Sequence, residues 1–442
     1  MNVLMLAVAL ATQATPVNLE DARARSRENV QALTAALQAS SAEQDVRIAR
    51  SSLLPQLRFQ LGASVDYNGP QRFISVERDA SGAFVRQVVD LEESLLPNFG
   101  LSLGVQQLIY DRAVWARLEQ SGAQLEAQQG EALEQQDTSE LEGINRFYSL
   151  FRTQATIQVL EANVRRSEQQ LERARALFQA GRVGKAEELS AQVNLGNDRI
   201  AVVARQSQLA TDQARLSTWL AMPGAEAVEA VDPGVLAQSP APAPALEQAL
   251  QEARTRRPLL VALRKRLRAA ELQESIANAG YLPRVSLQGS YSRNGPNADI
   301  VFGNPRLQNS VSGGVTVSWD LFNGFTTQAQ ARRAQYQSRV AELNLQQSER
   351  ELEGTVRQSH VALAAQITSA ELAEANRKAA ADALVLAEER FNAGVSSTLE
   401  VRDAQLKLTQ AELTLLENRI NVEIARFTLM RAMGTLAPGE AK

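Results

Sequence analysis

The chain of 442 residues has no cysteine. That excludes disulfides, thiolate metal sites, cysteine nucleophiles and a lipid anchor on an N-terminal cysteine. Histidine is nearly absent too. The single one, His360, lies in a helical stretch and reads as a solvated side chain, so no Ser/His/Asp set can be assembled around it. There is no glycine-rich phosphate loop. A formal net charge of −4 supplies no basic field for nucleic acid. No run approaches the ~18 continuous apolar residues that a membrane-spanning helix needs, which leaves a β-barrel as the one way into a bilayer. These absences speak against an enzyme and give no reason to expect a cofactor or a metal.

What is present favours long helices: Ala, Gln, Leu, Glu and Arg are abundant, while aromatics make up 5%. Residues 1–14 read as a secretory signal peptide, with an apolar run from Val3 to Leu10 and small residues at Ala9, Ala11 and Ala14 but no basic n-region. From Leu19 to about Ser52 the pattern is helical, and Leu54-Pro55 breaks it. Leu57 to Tyr67 then alternates, with Leu57, Phe59, Leu61 and Val65 on one face and Arg58, Gln60, Ser64 and Asp66 on the other. This is the period of a strand with one apolar and one polar face. A polar loop follows, in which Phe73–Leu91 suits a small hairpin, and Phe99 to Leu108 alternates again. From Tyr110-Asp111 to Ala180 a proline-free helix pattern spans roughly 100 Å. Ile157, Val164, Leu171 and Phe178 sit seven apart within it, as in coiled-coil packing. A further helix is expected from Lys185 to Met222, stopped by Pro223-Gly224. Residues 232–244, containing Ser239-Pro240-Ala241-Pro242-Ala243-Pro244, read as an extended linker.

The plan then recurs. A helix is expected from Ala245 to Ala279, strands over Val285–Tyr291 and Val311–Trp319, a long helix from Thr326 to Ala393 and a last one to Met433. Glu140-Leu141-Glu142-Gly143 returns as Glu351-Leu352-Glu353-Gly354, and Phe178-Gln179-Ala180-Gly181 returns as Phe391-Asn392-Ala393-Gly394. Both recur at an offset of about 212 residues, which marks a tandem duplication. The organisation expected is a signal peptide (1–14), a first repeat (15–231), a Pro-rich linker (232–244), a second repeat (245–436) and a short tail (437–442).

The last helix carries two apolar rows of period seven. One is Leu399, Leu406, Leu413, Ile420 and Phe427; the other is Val401, Leu408, Leu415, Val422 and Leu429. Offset by two residues, they lie roughly opposite each other at ~100° per residue, with Glu400, Lys407, Thr414 and Asn421 between them on one side and Arg402, Thr409 and Glu423 on the other. Two seams and two polar faces suit a stave in a ring of helices, and equally a helix sandwiched within a bundle. Four strands per chain cannot close a barrel, and an open sheet edge is not tolerated in lipid. Two copies give eight strands, filled by side chains. Three give twelve, the first count expected to hold a pore.

The repeat plan and the segment from Arg390 to Leu436 resemble the TolC family of outer membrane efflux proteins. The most specific parts are the two F-x-A-G turns, Glu400-Val401-Arg402-Asp403-Ala404-Gln405 and the closing Ala432-Met433-Gly434. The resemblance implies a mainly α chain with a membrane β-barrel: a homotrimer with a 12-stranded outer membrane barrel on a periplasmic α-helical barrel. It further implies an outer membrane exit duct for efflux or type I secretion, fed by an inner membrane pump through a periplasmic adaptor. Glu400 and Asp403 match acidic residues that ring the lumen at the periplasmic tip, although acids at a helix N-terminus are also favoured by its dipole. Glu187 is the first-repeat counterpart. The Tyr and Arg that hold it in relatives correspond here to Phe391 and Ser396, so Arg182 and Lys185 are the candidate replacements. Gly181, Arg182, Val183, Gly394, Val395 and Ser396 match the adaptor contacts. The other architecture compatible with the heptads is a trimeric coiled-coil envelope protein or adhesin, which leaves the four amphipathic strands without a purpose.

Overall fold

A computed structural model describes residues 15–78, 80, 82–222, 227–236, 240–303, 306 and 308–436. The expected signal segment, the Pro223-Gly224 stop and the tail at 437–442 lie outside the described residues. In chain order the elements are β1 (Thr15–Val17), α1 (Leu19–Arg27), α2 (Val30–Ser51), β2 (Gln56–Asn68), β3 (Gln71–Arg78), β4 (Phe84–Leu91), β5 (Ser94–Tyr110), α3 (Arg112–Gln179) and α4 (Lys185–Trp219). They continue with β6 (Val228–Ala230), α5 (Leu246–Arg256), α6 (Pro258–Asn278), β7 (Arg284–Gly295), β8 (Asn309–Ser318), α7 (Thr326–Asn392) and α8 (Thr398–Met433). No described helix is long and apolar enough to cross a membrane.

Two of the expected helices are each divided in two. Pro258 forces Arg257 into an extended conformation (φ −63°, ψ 117°), which separates α5 from α6. Between α1 and α2 the Asn29 side chain caps the Gln31 N–H at 3.0 Å and donates to the Trp219 carbonyl at 2.8 Å.

The chain forms two compact units, each drawn from both halves of the sequence. One comprises Ala42–Leu125 and Arg266–Ala341 and holds an antiparallel sheet in the order β2-β5-β7-β8. The register places Phe59 opposite Leu103 and Leu61 opposite Leu101, and Leu103 opposite Tyr291. The alternating pattern thereby puts every apolar row on one face. That face is uncovered: Leu57, Phe59, Leu61 and Val65 are 58–72% exposed. Among the described residues β3 and β4 pair only with each other, as an antiparallel hairpin between β2 and β5.

The other unit is helical, with a short parallel pair, β1 and β6, that the sequence pattern does not announce. Its largest core packs Ile144, Phe147, Tyr148 and Leu150 of α3 against Leu216 of α4 and Ile420 and Phe427 of α8. A second core joins Leu352, Val356 and Leu363 of α7 to α5 and to Val422 and Leu429 of α8. Both apolar rows of α8 are therefore used within one chain. Val401, Leu408, Leu415, Val422 and Leu429 are all 8% exposed or less. The opposite row is buried at Ile420 and Phe427 but exposed at Leu399 (75%) and Leu406 (48%). Full burial of such a side chain contributes about 1.5–3 kcal/mol, so the helix is anchored at its C-terminal half and less so near its start.

The repeated Glu-Leu-Glu-Gly segment has different surroundings in its two positions. Glu140 is 1% exposed and paired with Arg23 at 2.7 Å and Arg27 at 3.2 Å. A Cβ on Gly143 would fall 1.8 Å from Ser26 Oγ, so this glycine lets α1 lie directly on α3. In the second copy Glu351 is exposed, and a Cβ on Gly354 would meet nothing within 4 Å.

Candidate functional site

The two glycine turns share one design. Gly181 (φ +69°) and Gly394 (φ +77°) end α3 and α7 in the left-handed conformation. Arg182 N–H donates to Leu177 and Val395 N–H to Arg390, closing the same six-residue ring at each turn. Neither glycine has a neighbour that a Cβ would strike, so backbone conformation alone selects them. Arg182 and Val395 are exposed, and Val183 and Ser396 are half-buried.

The acidic residues beyond the turns are all engaged. Glu400 accepts from Arg390 at 2.8 Å and from Ser396 Oγ at 2.6 Å, while its own N–H is capped by Ser397 at 3.3 Å. Asp403, 60% exposed, pairs with Lys407 one turn on at 2.7 Å. Glu187 accepts a hydrogen bond from the Thr398 hydroxyl, which ties the start of α4 to the start of α8. Lys185 stays on its own hairpin: it bonds Glu188 and sits 5.0 Å from the Phe178 ring centroid. That bond to Lys185 holds the Glu188 carboxyl below its ordinary range. The structure thus brings Glu187 and Glu400 to neighbouring helix starts and gives Glu187 a threonine where Arg182 and Lys185 were the expected partners.

A polar layer connects the helices behind these turns. Arg402, expected on a wet face, is 14% exposed and grips Asp198 of α4 through two bonds of 2.9 Å. Ser167 of α3 donates to the same carboxylate at 2.5 Å. Thr409, on the same row, is 6% exposed and bonded to Asn163 at 3.1 Å. This face of α8 packs against α3 and α4, which is why it is not wet. A second hydroxyl-to-carboxylate link, Thr153 to Asp212 at 2.7 Å, repeats the first along the α3–α4 pair. Two heptads separate Thr153 from Ser167 and Asp198 from Asp212, so period-seven spacing of buried polar residues is the signal that sequence reasoning passed over. A cavity of about 590 Å³ opens beside this layer, lined by Glu187, Asn194, Thr398, Leu399, Arg402 and Leu406 among others. The two exposed leucines of α8 border it.

The other element with functional geometry is the sheet. Among the described residues its edge strands β2 and β8 each have one unpaired side, one face is apolar and exposed, and the opposite face presents Gln, Ser, Gly and Thr. A model of a known family, described as outer membrane efflux protein, matches residues 18–221 and 249–435. The chain belongs to that family. Outer membrane protein TolC of Vibrio cholerae is 23% identical to this efflux-family chain over 439 residues, covering 98% of the chain and 95% of TolC. Outer membrane protein OprJ of Pseudomonas aeruginosa is 26% identical over 187 residues, 40% of the chain and 37% of OprJ. Among solved structures, CusC superposes with a TM-score of 0.77 at 17% identity, covering 94% of the chain and 92% of CusC. The open-state MtrE outer membrane channel of Neisseria gonorrhoeae gives 0.76 at 16% identity, covering 95% and 89%. The efflux-family fold is therefore shared over nearly the whole length, and the CusC and MtrE structures that share it are those of channels.

Proposed function

We propose that three copies of this chain form an outer membrane exit duct, with twelve strands closed into a barrel in the bilayer and the helices forming a tunnel in the periplasm. The observation that carries this reading is the four-stranded sheet. Its two free edges need partners in lipid, and its bare apolar face matches a hydrocarbon surround while the small polar face matches water. Exposed apolar residues on the helices, such as Val193 (62%) and Ile200 (68%) of α4 and Val361 (65%) and Leu372 (62%) of α7, support contact with further copies. In this reading the two glycine turns form the periplasmic tip. Gly181, Arg182, Val183, Gly394, Val395 and Ser396 meet a periplasmic adaptor, and Glu187, Glu400 and Asp403 border the entrance. Conduction is passive, and energy comes from an inner membrane pump. Opening moves the α3–α4 pair relative to α8 and breaks the Thr398–Glu187 and Arg402–Asp198 links.

Membrane fractionation tests the location and planar-bilayer recording tests the pore. The expected result is an outer membrane trimer with discrete conductance, whose preference for cations falls in a Glu400→Gln, Asp403→Asn double variant. A soluble periplasmic monomer would end the proposal, and an unchanged ion preference would remove the two acids from the entrance.

A further inference from the structure

The polar face of the sheet is almost free of charge. Along the strand residues of that face only Arg58, Asp66 and Arg284 are ionic. Arg284, at the end of β7, has Asp320 at 3.6 Å. Asp66 lies eight residues further along β2 than Arg58, about 27 Å away at the usual rise of a strand. Arg58 therefore stands by itself.

Its row makes the isolation plain. Across the sheet the register sets Arg58 beside Gly104, then Ser290, then Ser312. None of the three has a side chain long enough to cover a guanidinium, and the Ser290 and Ser312 hydroxyls are bonded to each other at 2.7 Å. The row lies in a shallow trough of about 440 Å³ whose other lining residues include Gln56, Gln106, Gln288 and Thr316. Arg58 is the one charged group in that trough, is exposed, and has no carboxylate partner among the described residues. The acids near the glycine turns differ in this respect. Glu400 is matched by Arg390 and Asp403 by Lys407 within the same chain.

We propose that Arg58 is a specificity-determining residue, a fixed positive charge on the polar face of the sheet that favours passage of solutes bearing a negative charge. The inference rests on the reading of that face as the lining of a water-filled barrel. There, copies of Arg58 from several chains stand at one height in a polar but otherwise uncharged wall. A ring of arginines between low-dielectric walls is a recurrent means of favouring anions, because such walls concentrate the field of each fixed charge.

The test is the reversal potential of the intact channel in a planar bilayer under a potassium chloride gradient. R58Q is expected to lower the chloride-to-potassium permeability ratio by about twofold or more, a change of roughly 0.7 kT or more and well inside the several-kT potentials that fixed charges create in a low-dielectric cleft. R58E should lower it further, and R58K should retain the ratio of the unmodified channel because it keeps the charge. A conducting R58Q channel with an unchanged ratio overturns the role of Arg58 and leaves the duct reading intact. An equal fall of the ratio in R58K would overturn the charge argument, since shape would then be responsible. Absence of any conductance from the unmodified chain refutes the duct reading and this inference with it.

Discussion

At the scale of single residues, the helical unit is held together by buried charges as well as by apolar packing. Arg257 and Arg431 both bond Glu134, at 2.6 and 2.9 Å, and Arg431 also bonds Thr138 at 2.8 Å. Asp137, 5% exposed, lies in the same neighbourhood. Burial pushes its carboxyl up to about 6; Arg27 and Arg257 pull it down, while Glu134 and Glu140 push it further up. The sign for stability follows. Between about pH 4 and 6 the folded chain retains a proton that the unfolded chain has released, so this group's contribution falls as pH rises through that window and stays low above it. Asp137→Asn removes the cost of ionisation. It is expected to stabilise the protein at pH 7.5 by an amount on the order of 2 kcal/mol. Denaturation midpoints of both proteins at pH 4.5 and 7.5 check this: the gap between them should widen with pH, and a constant gap would refute the assignment.

At the scale of elements, much of the architecture was legible. The four strands and the two long helices stand within a few residues of where period-two and period-seven patterns put them, because one-sided burial imposes a period that the sequence displays openly. The division of α5 from α6 was less legible, since Pro258 is tolerated at the first turn of a helix and gives no strong break by itself. The buried polar layer was hidden for a different reason. Arg402 and Thr409 are polar residues on a polar row, and composition cannot distinguish a row facing water from one facing Asp198 and Asn163. Of the candidate site, the glycine turns and Glu400 could be found by motif, whereas the Thr398–Glu187 and Arg402–Asp198 links required tertiary structure.

The glycines also separate by mechanism at this scale. Gly434 ends α8 at φ +71°, and a Cβ there would stand 2.8 Å from the backbone of Arg256 and Arg257. Gly394→Ala meets only the left-handed strain of about 1–2 kcal/mol. Gly434→Ala meets that strain and a backbone collision that no rotamer relieves. Limited proteolysis should show Gly434→Ala markedly more susceptible and Gly394→Ala close to the parent; equal susceptibility would mean that the corner between α5 and α6 yields easily.

At the scale of the whole molecule, the two faces of the sheet should respond oppositely to the same side chain. In a lipid-facing position an arginine costs about 2–4 kcal/mol near the bilayer midplane, while in a water-filled interior it costs little. Phe59→Arg is therefore expected to reduce the amount of folded protein recovered from the outer membrane several-fold, and Gln60→Arg, one residue along β2, is expected to leave recovery near normal. Equal recovery of the two would contradict the assignment of the faces.

The unfinished sheet has a kinetic consequence. The helical unit holds Phe147, Tyr148, Leu216 and Ile420 in a core supplied by one chain, so the encounter of its parts is intramolecular and independent of concentration. Among the described residues the edges β2 and β8 find no such partner. If they are satisfied by other copies, completion of the sheet is a collision between chains, and its rate rises with the number of chains present. Maturation then has a first-order phase for the helices and a higher-order phase for the strands. Scarce chains would accumulate with a finished helical body and an open sheet edge, the state most exposed to proteases and to wrong strand partners.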